Sequence, residues 1–159
     1  MTNKFRIIIG DKKILRQRIP EIEKPTPEIR MLVKKMRKIM KQADGIGLAA
    51  NQIGLPLRLF VAEVNNKFYA VLNPKITKLS KEKEIMEEGC LSFPAYFGPV
   101  SRAKKIILEG MDAYGKKIKI SATGLLARVF QHEVDHLNGI LFIDKARELY
   151  HYTPKQEIK

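Results

Sequence analysis

Gln131-His132-Glu133-Val134-Asp135-His136 constrains this chain more than any other stretch. It sits in a run with helical spacing. A helix turns about 100° per residue, so His132 and His136 fall about 40° apart on one face, with Glu133 beside them. Two imidazoles and a carboxylate in that arrangement suit a metal held by two histidines, with the glutamate as general base. The bland alternative is a helix that carries them as ordinary core or surface groups. Against it, the chain has only one further histidine, His151. Around the His–Glu positions the helix is apolar, at Leu125, Leu126, Val129, Phe130 and Leu137. That pattern predicts a buried helix starting near Thr123, surrounded by sheet, with Gly139 where a C-terminal glycine belongs.

The rest of the chain reads as short strands plus one early helix, an α+β pattern of antiparallel sheets around the central helix. Thr26-Pro27-Glu28 is a helix start, with a Thr cap and Pro at the first helical position. Ile29, Leu32, Val33, Met36 and Met40 follow at helical spacing, and the helix should end near Ala43-Asp44-Gly45. Strands are expected at 5–9, 57–64 and 68–72. Asn65-Asn66 forms a turn, Asn73-Pro74 a strand end, and 75–79 a further strand. The segment 82–87 leads towards Glu88, and 95–99 reads as a loop. Segments 104–111 and 117–121 read as a hairpin around Gly115.

With 159 residues, the chain is most economically one catalytic domain, 1–159, with a polar tail over 145–159. No stretch approaches a membrane span, and Met1 to Arg6 lacks a signal-peptide core, so a cytoplasmic address and no membrane partner are expected. Net charge is +13, spread as lysine along the chain. That describes a solvated surface, with at most weak attraction to a polyanion such as ribosomal RNA and no specific nucleic acid. The single cysteine, Cys90, excludes an internal disulfide and agrees with a reducing compartment.

No third histidine follows at close spacing, so a third ligand comes from elsewhere. Cys90, in Glu88-Gly89-Cys90-Leu91-Ser92, is the best candidate. His₂Cys leaves a fourth position open, as hydrolysis requires. His151, in the polar tail, is the rival and reads as a surface residue. Together with Gly45-Ile46-Gly47-Leu48-Ala49-Ala50-Asn51-Gln52, the segments around Cys90 and His132 resemble, in order and spacing, the three signature motifs of peptide deformylases. The resemblance runs from about Phe5 to Asp144. It implies an enzyme that removes the formyl group from the N-terminal formylmethionine of nascent chains, releasing formate. Cys90, His132 and His136 would hold one divalent metal, Fe²⁺ in the cell, with Ni²⁺, Co²⁺ or Zn²⁺ tolerated. Glu133 would be base and acid, and Gln52 and the Leu91 N–H would face the oxyanion. Gly47 would bind the substrate backbone, and Glu88 and Arg102 would pair. Ile46, Met86, Leu125, Val129 and His132 would line the methionine pocket, with Tyr96 and Phe97 bordering the next subsites.

Arg128, one turn before His132, stands where an apolar lining residue is the simple expectation. It either snorkels to the rim to meet the peptide or Glu87, or narrows the pocket. Partners implied are the formylmethionyl peptide and a transient ribosome contact. The tail is short for a long docking helix at the C-terminus. Two rival functions remain: a zinc peptidase or other amidase built on the same helix, and a basic RNA- or ribosome-binding protein with a structural metal.

Overall fold

Helix α2, Gly124–Leu137, is the axis of the fold, and the computed structural model describes residues 5–154 around it. Before it come α1 (Pro27–Gln42), β1 (Gly47–Ala49), a 3₁₀ turn at Ala50–Ile53, β2 (Leu59–Val64), β3 (Lys67–Leu79), β4 (Lys83–Cys90), β5 (Phe93–Ala103), β6 (Lys105–Met111) and β7 (Lys117–Thr123). After it come the short α3 (Phe142–Lys145) and β8 (Tyr150–His151). Five strands form one antiparallel sheet in the order β1-β2-β3-β6-β7, and three form a second, β4-β5-β8.

β2 is covered on both faces of the five-stranded sheet, which explains its continuous apolar run. Along β2, Leu59 and Val61 pack with Ile29, Leu32, Val33, Met36 and Met40 of α1. Phe60, Ala62 and Val64 point the other way and pack with Ala127, Val129, Phe130, Val134 and Leu137 of α2. The period of two in the strand thus meets the 3.6 period of each helix. α1 is capped as its sequence predicts: Thr26 Oγ1 accepts from the Ile29 N–H at 3.3 Å, and all five apolar positions are buried. Asn65 and Asn66 have φ of 52° and 63°, the left-handed pair that a tight hairpin demands.

The C-terminal end of α2 is tied off with care. The Leu137 carbonyl accepts from the Ile19 N–H and from Arg58 Nη1, both at 2.9 Å, and the His136 carbonyl accepts from Asn51 Nδ2 at 2.8 Å. These donors satisfy carbonyls that a helix end leaves open. Gly139 follows with φ of 76°, and a Cβ there would lie 2.5 Å from the Arg16 carbonyl oxygen, so glycine is required twice over.

Four expectations need correction. Residues 5–9 form no ladder; they run extended and make single bonds, Ile8 N–H to the Gln52 carbonyl at 2.7 Å and Gly10 N–H to that of Ser92 at 2.8 Å. Asn73-Pro74 does not end a strand. It is a bulge inside β3, with Asn73 at φ 50° and its side chain pairing with both backbone groups of Ile22. Segment 82–87 is most of β4, and 95–99 lies inside β5. The prolines disguised β5. β8 pairs only with Tyr96 and Phe97, so neither Pro94 nor Pro99 has to supply an N–H to that neighbour.

Candidate active site

Three segments converge around His132, Glu133 and His136, in the C-terminal half of α2. The first is the turn from β1 into the 3₁₀ segment. Its Gln52 is buried, and its Oε1 accepts from the Ala49 N–H at 2.9 Å. This bond fixes the amide, so Nε2 points at Ser92 Oγ (3.1 Å) and Cys90 Sγ (3.5 Å). The second is the end of β4, where Cys90 pairs with Phe93 across a tight turn and Leu91 borders the cavity. The third is α2 itself.

The donor atoms of Cys90, His132 and His136 lie within 4.8 Å of one another, and Cys90 Sγ is 3.3 Å from His136 Nε2. His151 stays out of this cluster, with its ring against Tyr96 on the surface. His132 Nδ1 meets Glu88 Oε1 at 3.0 Å, leaving Nε2 for the cluster, and its ring stacks on Phe142. A carboxylate on the far nitrogen of a ligating histidine is the usual way to fix its ring and tautomer. Burial lowers the pKa of His136 well below its ordinary value, assisted by the charges of His132 and Arg102, so the ring is neutral and able to ligate. His132 moves the other way. Burial alone would lower it, but Cys90, Glu88 and Glu133 outweigh burial, which means that negative charge gathers where a cation would sit. The donor set therefore fits one divalent ion of the thiolate- and imidazole-binding kind.

Glu133 has the surroundings of a general base. Its Oε2 is buried and lacks a hydrogen-bond partner among the described residues. Burial, with help from the charges of Glu88 and Asp135, pushes its pKa up to about 7 against the opposing His132 and Arg102. Gly47 makes room for it, since a Cβ at that position would be 2.4 Å from Glu133 Oε1.

Beneath Cys90, His132 and His136 runs a buried charge network. Arg102 grips Glu88 with two parallel bonds of 2.9 Å and reaches Asp135 Oδ2 at 2.5 Å, and Lys145 joins Asp135 at 3.0 Å. Burial works against the charge on Glu88, but the bonds from Arg102 and His132 prevail and hold its carboxyl far below the usual carboxylate range. Arg128 belongs to this network, and the snorkelling expectation is overturned. It is 6% exposed, and its guanidinium donates to Glu88 Oε2 (2.5 Å), the Val100 carbonyl (2.9 Å) and the Glu84 carbonyl (2.7 Å), not to Glu87. A carboxylate and two free carbonyls within reach outbid water at the rim.

A cavity of about 670 Å³ opens over these groups. Ile46, Gly47, Gln52, Glu88, Leu91, Leu125, Arg128, Val129, His132 and Glu133 all border it, as do Tyr96 and Phe97. Ile46 and Leu125 are each 45% exposed, apolar surface held open to solvent. Met86 does not join them. It is 38% exposed and lies away from the cavity lining, two residues up β4 from Glu88. Ser92, Asp135 and Gln131 carry roles that sequence reasoning missed. Gln131 uses its amide like a piece of strand, bonding both the N–H and the carbonyl of Ala103 and tying α2 to β5. Only the Asp in the histidine motif offered a signal, as a potential partner for a buried arginine.

Two neutralisable imidazoles, a thiol and an unpartnered carboxylate under an apolar cleft are the equipment of a metal-dependent hydrolase. Comparison with known proteins narrows that class. A profile of the polypeptide deformylase family matches residues 4–151. A peptide deformylase from Carboxydothermus hydrogenoformans is 48% identical, over 87% of this chain and 90% of the relative, and one from Syntrophomonas wolfei is 41% identical, over 91% and 94%. The crystal structure of the Thermotoga maritima peptide deformylase superposes with a TM-score of 0.88 at 40% identity, covering 91% of this chain and 98% of that one. This chain belongs to the polypeptide deformylase family. It is a metal-dependent hydrolase that removes the N-formyl group from nascent peptides.

Proposed function

We propose that Cys90, His132 and His136 hold a single divalent metal, Fe²⁺ in the cell with Ni²⁺, Co²⁺ or Zn²⁺ as substitutes, and that Glu133 moves the protons. The observation that carries this reading is the unpartnered, buried Glu133 Oε2 beside three converging ligand atoms. When bound, the metal supplies Lewis acidity, polarising the formyl carbonyl and acidifying nearby water. Glu133 takes a proton from the attacking water as the new C–O bond forms. It returns that proton to the amine as the C–N bond breaks, leaving formate and a free N-terminus. Gln52 Nε2, held by its Oε1 bond to Ala49, and the Leu91 N–H donate to the oxygen that gains negative charge. The Gly47 backbone aligns the peptide. Ile46, Leu125 and Val129 take the methionine side chain, whose thioether suits an apolar wall. Arg128 and Glu88 serve that pocket from behind, through the buried pair that steadies His132.

The substrate is a peptide beginning with N-formylmethionine, met in the cytoplasm during a transient ribosome contact, and residues 1–159 act as one catalytic domain. Among the described residues no helix is long and apolar enough to cross a membrane. The Glu133→Gln variant separates the roles. It should bind metal at one equivalent yet lose at least about 10²–10⁴-fold in formate release from formyl-Met-Ala-Ser. Full activity in that variant would remove Glu133 from the chemistry.

A further inference from the structure

Away from the catalytic cavity, an open groove of about 840 Å³ runs between α1 and the edge of the five-stranded sheet. The exposed side of α1 is unusual. Arg30, Lys34, Lys35, Arg37, Lys38 and Lys41 are its cations, and Glu28, in the first turn, is its one acid. Arg30, Lys34, Arg37 and Lys41 recur at intervals of four, three and four, a single stripe along the helix. Arg30, Lys34 and Arg37 line the groove, Lys67 and Lys119 face them from β3 and β7, and Asp112 is the one acid in the lining. The Asp112 carboxylate is occupied by the N–H groups of Tyr114 and Lys116, at 2.9 and 3.0 Å. Arg37 and Lys41 share Glu63, whereas Lys34, Lys67 and Lys119 have no carboxylate partner among the described residues.

The groove also brings Tyr114 close to Phe68 and Tyr69, from a distant part of the chain. Arg30 sits 4.9 Å from the Tyr114 ring, Arg37 4.5 Å from Phe68, and Lys67 5.3 Å from Tyr69. Tyr114 is 78% exposed. Phe68 and Tyr69 are half-buried against the core, so the groove offers unpaired cations around one fully accessible ring, and a single-stranded nucleic acid uses both: charge for the phosphates and a flat surface for a base. An acidic protein would use the charge and leave the ring idle. A membrane surface would need the apolar face of α1, and that face is buried against β2.

We propose that this groove is an RNA-binding surface, gripping phosphodiester backbone without reading sequence. The inference rests on the reading that the substrate is a nascent chain, and it gives the enzyme a way to stay where such chains emerge. α1 joins the two sites. Its C-terminal end passes directly into Ala43, Asp44 and Gly45 on the wall of the catalytic cavity. From Lys34 to Ala43 is about 14 Å at the helical rise.

The test compares metal-loaded wild type with the double variant Lys34→Glu/Lys67→Glu, using fluorescence anisotropy of a labelled single-stranded RNA over a range of salt. The expected result is at least about tenfold weaker binding for the variant. The slope of log affinity on log salt should also become shallower by about 0.7 for each cation lost. Lys34→Gln/Lys67→Gln should shift both quantities in the same direction by less. Lys78→Glu/Lys81→Glu, an equal charge change outside the groove, should leave them near wild type. Equal losses from both Glu pairs, or equal competition by polyglutamate and RNA, would reduce the effect to bulk charge and overturn the proposal. So would variants that lose binding to anionic vesicles while retaining RNA. Formate release from free formyl-Met-Ala-Ser should be unchanged throughout. Absent formate release in wild type would contradict the catalytic reading, whereas unchanged RNA affinity in the Glu variant would contradict this one.

Discussion

At the scale of single residues, Glu133 and Gly47 are in close approach. Glu133 Oε2 is buried and unpartnered among the described residues, and Gly47 lies so close to the other carboxylate oxygen that no Cβ would fit between them. Gly47→Ala would put a methyl 2.4 Å from Glu133 Oε1, which forces the carboxylate to move. The expected outcome is wild-type metal content with kcat/KM lowered by about 10²-fold or more, since a misaligned base loses much of its contribution. Metal analysis beside the formate assay checks it, and unaltered turnover would count against the geometry. The convergence of His132 and His136 was legible because fixed helical spacing leaves few alternatives, and the fold brings the Cys90 donor atom within 4.8 Å of theirs. The direction of Arg128 was not. Its place on the His132 face follows from the helix, but its rotamer is set by Glu88, Val100 and Glu84, which the fold brings in from another sheet. Met86 failed for a related reason: its exposure is decided by where the β4–β5 hairpin meets α2.

At the scale of elements, the site depends on holding the β4–β5 hairpin against α2. Cys90 rides on the first and both histidines on the second, so the three donor atoms stay in register only if the two move together. Arg128 bridges them, reaching from α2 to backbone carbonyls on both strands as well as to Glu88. In Arg128→Met the Glu84 and Val100 carbonyls lose that donor, and Glu88 keeps only Arg102 and His132. Removing one member of a buried ion pair is costly, so metal-free protein should lose about 2–4 kcal/mol in urea denaturation. A change below about 0.5 kcal/mol would show that the bridge is idle. α1 was readable from its cap and its 3.6 period, and β6–β7 from their turn glycine. β4, β5 and β8 were not. β4 is mostly exposed and shows little alternation, β5 is broken up by prolines and glycine, and two residues of β8 carry no pattern at all.

For the whole molecule, one exposed ion cluster fastens the segment before α1 to α3. Arg16 binds Asp11 through two bonds, of 2.7 and 2.8 Å, and Asp144 at 2.5 Å. The Arg16 hydrogen bond holds Asp11 below its ordinary pKa. For Asp144 burial works against the charge, but Arg16 and the Leu141 N–H outweigh it, and its pKa also falls. A carboxylate with a depressed pKa in the folded state binds protons less readily there than in the unfolded chain. It therefore adds stability that is complete above about pH 4 and disappears as pH falls through the folded value. Thermal midpoints measured from pH 6 down to pH 2.5 should fall more steeply in wild type than in Asp144→Asn. Parallel curves would mean that the cluster contributes nothing to acid stability.

The most direct test of the catalytic claim is formate release from formyl-Met-Ala-Ser by protein purified without oxygen and loaded with one Fe²⁺ or Ni²⁺ per chain, with unformylated Met-Ala-Ser alongside. Oxygen is excluded because Cys90 can be oxidised. Stoichiometric formate and free Met-Ala-Ser from the formylated peptide alone are expected. Fully loaded protein that releases no formate, or that cuts internal peptide bonds irrespective of the formyl group, would contradict it.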